Sequence, residues 1–151
     1  MKIKCKGHVQ LIVKNSKTGE IKQTIEQDNL FLNIGRQKLL YRCGSSGCYC
    51  RIIISDSESV ESATATSIPA TVLWGSDTGL TSSNEINGLS VTRRWNVTIP
   101  EPVSPRNINT VGLANDAVGT NAMCYTKLTS TVVQGIEDTV VVYYSLTLST
   151  Y

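Results

Sequence analysis

A chain of 151 residues and 16.4 kDa suits a single domain, 1–151, and a hydrophobic content of 40% is enough to fill a sizeable core. Charged residues make up only 17% and the net charge is +2, so neither a polybasic nor an acidic chain is at hand. No run of about 18 apolar residues is present, and the alternating start MKIKCKGHVQLIVK lacks the continuous apolar stretch of a secretion signal, so the expectation is a soluble protein made in the cytoplasm.

Residues 2 to 14 alternate, with Ile3, Cys5, Val9, Leu11 and Val13 on one face and Lys2, Lys4, Lys6, His8, Gln10 and Lys14 on the other, which predicts a half-buried strand. Asn15 to Gly19 is turn chemistry, and Glu20 to Glu26 completes a hairpin. After Asp28-Asn29, which can cap, Phe31, Ile34, Leu39 and Arg42 fall at helical spacing and predict one short helix near 30–42. Gly44 to Gly47 ends it, and Cys48 to Ser55 predicts a short buried strand around Ile52, Ile53 and Ile54.

The Ser-rich, acidic stretch 55–70 reads as an exposed loop, Thr71 to Trp74 as a short strand, and 75–88 as a second exposed loop. Leu89 to Ile99 alternates Leu89, Val91, Arg93, Trp95, Val97 and Ile99 against polar residues and stops at a cluster of prolines. Strands follow at Asn107 to Leu113 and Ala122 to Ser130. The closing strand, Thr139 to Tyr151, carries Val140, Val142, Tyr144, Leu146 and Leu148 on one face, a pattern that belongs inside a sheet. About eight strands and one helix predict an all-β fold, a jelly-roll-like β-sandwich with the helix over one opening.

Five cysteines form one constellation with chemical potential. Cys43, Cys48 and Cys50 could give three thiolates to a metal, with Cys124 or His8 as the fourth ligand, although C-x4-C-x-C departs from the usual knuckle spacing. Cys43 and Cys48 could instead close the Gly44–Gly47 loop as a disulfide, or all could remain reduced; Cys5 and Cys124 sit in strand patterns and read as core. No catalytic residues and no cofactor are expected: His8 lies on a polar face, no nucleophile motif surrounds a Ser or Cys, and Gly112 and Gly119 read as scattered turn or bulge residues rather than a phosphate loop.

Asp56, Glu58 and Glu61 lack the spacing of a calcium loop and read as solvated. Lys2, Lys4 and Lys6 share a strand face that could meet phosphates, but no aromatics interleave with them, so they read as the lysines of an edge strand and not as a nucleic-acid site. Arg93 beside Trp95 on an apolar face requires a partner, an aromatic stack or a subunit contact. Exposed Trp74, Trp95 or Tyr125 would be the stacking residues of a glycan- or receptor-binding sandwich, although alternation buries Trp95.

The order of elements resembles small tailed-bacteriophage virion proteins of the collar, tail and fibre-base kind. The residues that carry the resemblance are Asn29-Leu30-Phe31-Leu32-Asn33-Ile34-Gly35 after the first hairpin, Ile108 to Ala114, Met123 to Leu128, and the closing strand Asp138 to Leu148. Residues 43–75 depart from that pattern. The resemblance implies a non-enzymatic β-sandwich subunit of the virion whose partners are further copies of itself and other virion proteins, with a capsid-decoration role or a host-surface glycan as alternatives. It implies no catalytic residues, and the absence of a long apolar run sets the expectation of no membrane partner.

Overall fold

The computed structural model describes residues 2–31, 51–59, 62, 64, 65, 67, 68, 72–76, 81–114 and 122–151. Among these the fold is all-β, in two antiparallel sheets consistent with a β-sandwich. The strands are β1 (Ile3–Asn15), β2 (Ile21–Phe31), β3 (Arg51–Ser55), β4 (Val72–Ser76), β5 (Thr81–Asn87), β6 (Ser90–Ile99), β7 (Arg106–Ala114), β8 (Ala122–Gln134) and β9 (Asp138–Thr150), in the spatial order β4-β3-β7-β8-β2-β1-β9-β6-β5. Sheet A holds β2, β1, β9, β6 and β5; sheet B holds β4, β3, β7, β8 and the last two residues of β2.

The period-two pattern of sheet A converts directly into layers. Val9, Tyr144 and Trp95 lie in one row, Leu11, Val142 and Val97 in the next, and Val13, Val140 and Ile99 in the third, all buried. Across the interior they meet Ile52, Ile54, Ile108, Val111, Leu113, Cys124, Leu128 and Val132 of sheet B in one continuous core. Because the side-chain period of a strand is two, a one-residue slip of β9 would expose its entire apolar set, so this face specifies the register. The closing strand is interior, as its composition predicts: β9 pairs with β1 along one side and β6 along the other.

Strand β2 is the corner between the sheets. Its first part pairs with β1, whereas Leu30 and Phe31 pair with Tyr125 and Cys124 of β8. The helix expected near 30–42 is therefore corrected at its start, because the backbone ladder to β8 outcompetes a helical spacing of only a few side chains; residues 32–42 lie outside the described residues. Before the backbones meet, two glutamines span the gap. Gln27 Nε2 donates to the Lys127 carbonyl at 2.8 Å and to Thr126 Oγ1 at 2.9 Å, Gln27 Oε1 accepts from the Thr129 amide at 2.8 Å, and Gln23 Nε2 donates to the Thr131 carbonyl at 3.1 Å.

The opposite end of the sandwich is closed where the chain passes from β8 to β9. The buried Gln134 donates from Nε2 to the carbonyls of Pro100 and Asp138, both at 2.9 Å, and Asp138 Oδ2 accepts from the Gly135 amide at 2.9 Å. Lys22 meets the other oxygen of Asp138 at 2.7 Å. These bonds hold a short turn between two strands that lie in different sheets.

The second face of sheet B is covered in part. Ile53, Ala114, Ala122 and Tyr125 form a small buried cluster with Ile68, and Ala65 and Val72 pack on it. Part of the 55–70 stretch thus lies on the sheet, which corrects the exposed-loop expectation at Ser57, Ala65 and Ile68 but not at the exposed Asp56, Glu58, Ser59, Ser62, Thr64 and Ser67: the Ser57 carbonyl accepts from Thr110 Oγ1 at 2.8 Å, and the Ser62 amide donates to the Tyr125 hydroxyl. Gly112 sits here in mid-strand, paired with Ile53 and Tyr125, rather than in a turn or bulge. A Cβ at this position would stand 2.6 Å from the Cys124 carbonyl oxygen and 2.8 Å from Ile68 Cδ1. The other expected loop, 75–88, contains the end of β4 and all of β5. Gly119 lies outside the described residues.

Candidate functional site

The outward face of sheet A brings together side chains from five strands. Register places Asp28, His8, Ser145, Arg94 and Ser83 in one row and Glu26, Gln10, Tyr143, Asn96 and Thr81 in the next. All of these but Asp28 and Thr81 line, with Trp95 and Tyr144, a shallow concavity of about 360 Å³ to which Tyr143 of the central strand contributes. Tyr143 is 45% exposed, a large aromatic left in solvent in the middle of a sheet. Beside it on the same face lie Ile12 and Val141, a directly opposed and half-buried pair.

The charges around the concavity compensate one another. His8 is bracketed by carboxylates, with Nδ1 3.0 Å from Asp28 Oδ1 and Nε2 2.8 Å from Glu26 Oε1. Both contacts are hydrogen bonds only when both ring nitrogens carry protons. The hydrogen bond to Asp28 raises the His8 pKa, partial burial opposes the rise, and Glu26 adds to it. Asp28 is held below the ordinary carboxylate range, first by His8 and then by Lys6, whose Nζ lies 3.1 Å away. Arg94 pairs with Glu85 on β5. Lys6 and Arg94 thus face Asp28 and Glu85, and His8 completes the pairing with Glu26 when its ring is protonated.

The residues singled out in the sequence are distributed elsewhere. Cys43, Cys48 and Cys50, with their metal and disulfide alternatives, lie outside the described residues, as does Glu61. Cys124 is buried in the core and Cys5 packs against it, both as thiols. Asp56 and Glu58 are exposed, and no group of three metal-ligating side chains occurs among the described residues. Trp95 and Tyr125 are buried and Trp74 packs half-buried on the core, so none of the three is a stacking platform.

Arg93 finds two of the three alternatives that its position allows, an aromatic ring and hydrogen-bond partners. Its guanidinium stands 5.6 Å from the centre of the Trp95 ring and donates to Asn84 Oδ1 at 3.2 Å and Ser82 Oγ at 3.0 Å. The lysine-bearing strand β1 is not an edge: it runs between β2 and β9, and Lys4 and Lys6 extend from the solvated face at its end. Tyr143 was detectable only as one polar-face residue of the closing strand. Its neighbours come from the other end of the chain and from β6, so no local signal marks it.

The edge of sheet A is the second feature with functional content. All seven residues of β5 are exposed, and among the described residues β5 pairs only with β6, without a bulge. Its sequence TSSNEIN has one charge and no proline, so the devices that normally blunt a free edge are nearly absent. Register also lines up Ile86, Val91, Leu148 and Cys5 across four strands on the inward side, and Ile86 at the edge is 78% exposed. No protein-family model matches this sequence, and neither curated proteins nor solved structures provide a match.

Proposed function

We propose that this chain is a non-enzymatic structural subunit of a bacteriophage virion, in the neck, tail, baseplate or fibre-anchoring region, that assembles into symmetric oligomers. The observation that carries the assembly reading is β5: a seven-residue strand that among the described residues ends its sheet, with a single charge and no proline, and is continuous with the exposed apolar side chains of Ile86 and Val91. An edge of this kind presents a row of N–H and C=O groups to another chain, and pairing it removes both the open ladder and the apolar exposure. The place in a virion rests on the resemblance carried by residues 29–35, 108–114, 123–128 and 138–148. A capsid-decoration subunit is the alternative within the same class.

Sedimentation velocity at micromolar concentration tests the assembly reading. A discrete oligomer that dissociates in Ile86→Lys is the expected result; a strict monomer, alone and with purified particles, sinks it. Mass spectrometry of purified virions tests the location, and a particle preparation devoid of the protein removes the virion from the proposal.

A further inference from the structure

The concave outer face of sheet A has the composition of a ligand site. An exposed aromatic ring lies at its centre, amide, hydroxyl and carboxylate groups surround it, and each basic side chain beside it is paired with a carboxylate. We propose that this face binds a neutral saccharide, with the apolar face of a pyranose ring against Tyr143 and its hydroxyls bonded to Gln10, Asn96, Ser145 and Glu26.

Three observations favour this occupant. A sugar ring is amphipathic in the way this site is: its C–H face seeks a flat apolar surface, which Tyr143 offers at 45% exposure, and its hydroxyl rim needs both donors and acceptors. Gln10 and Asn96 stand directly opposite Tyr143 on the two flanking strands, so the amides frame the ring from both sides. Finally, the cations are already engaged. His8 is held between Asp28 and Glu26, Lys6 on Asp28 and Arg94 on Glu85, so an anionic ligand would find no uncommitted positive charge among these groups. The same ion pairs link β1 to β2 and β5 to β6 beside the concavity.

A rigid sheet supplies the platform. Tyr143 alternates with the buried Val142 and Tyr144 on the central strand, so its backbone cannot move without disturbing the core. The sugar site does not depend on the assembly reading, because that reading uses the outer edge of β5, unpaired among the described residues, while the concavity opens on the face.

The test uses the full chain and a panel of neutral methyl hexopyranosides, N-acetylhexosamine glycosides and their short oligomers, with binding followed by saturation-transfer NMR and titration calorimetry. Binding of at least one sugar is expected, weakened roughly tenfold or more in Tyr143→Ala, the loss that removal of a stacking platform produces. Tyr143→Phe should retain it, and Tyr151→Ala, an exposed tyrosine away from the site, should leave it unchanged. Asn96→Ala and Gln10→Ala provide a second route if Tyr143→Ala does not fold, and each should weaken binding several-fold. The proposal is overturned if no sugar of the panel binds at millimolar concentration, or if Tyr143→Ala and Tyr151→Ala bind alike. A Tyr143→Ala protein that changes sedimentation while no sugar binds would make the face a protein interface and would equally end the proposal. A monomeric protein that binds sugar would end the assembly reading alone.

Discussion

Gln27 on β2 and Lys127 on β8 are joined by a hydrogen bond from the glutamine side chain to the lysine carbonyl, at 2.8 Å, across the seam where the two sheets separate. The same amide group accepts from the Thr129 N–H, so one side chain satisfies an acceptor and a donor of the β8 backbone. A side chain here takes the place of ladder bonds that the diverging backbones cannot form.

Replacing Gln27 with Leu should therefore destabilise the protein by about 0.5–1.5 kcal/mol, the net cost of hydrogen bonds lost at a partly exposed seam. Urea denaturation checks this. A midpoint unchanged from the wild type would show that water replaces the glutamine without loss.

Gly112→Ala should cost roughly 1–3 kcal/mol, towards the upper end, because the nearest atom to the new methyl is a backbone carbonyl that cannot rotate away. Thermal unfolding is the measurement. Gly19→Ala should also destabilise but for another reason: the site is open, and the strain arises from φ of +73°.

Stability should fall at both ends of the pH range through two different pairs. Asp138 is held below its ordinary pKa, first by Lys22 and also by the Gly135 amide. Its contribution is present above the unfolded value of about 3.9 and is lost as pH falls through the folded value. His8 is raised, first by Asp28, so its contribution is complete below about pH 6.5 and is lost as pH rises through the folded value. Denaturation from pH 2 to 9 should show Asp138→Asn flattening the acid limb and His8→Gln flattening the neutral one. The His8 effect is the smaller and salt-sensitive of the two because the group is partly exposed.

Deleting Ser145–Tyr151 should give insoluble protein. The segment pairs with Ile3 to His8 on one side and Ser90 to Arg94 on the other, and its removal opens sheet A in the middle. Soluble, folded product with native circular dichroism would show that the end of β9 is peripheral.

The sequence alone determined those features that a local period encodes. The alternation of Val9, Leu11 and Val13 and of Val140, Val142 and Tyr144 specified both strands, their inward faces and the interior place of β9, because the side-chain period of a strand and the hydrophobic effect act within a few residues. It also required a partner for Arg93, since an arginine on an apolar face must be compensated. Tertiary structure decided the remainder. Strand β5 has no apolar period and exists because β6 offers it a ladder; Leu30 and Phe31 extend as a strand because β8 lies alongside; part of 55–70 covers a sheet because Ile68 has a cluster to join. The concavity around Tyr143 is of the same kind, since a ring on a polar strand face becomes the centre of a site only when β1 and β6 set Gln10 and Asn96 on either side of it.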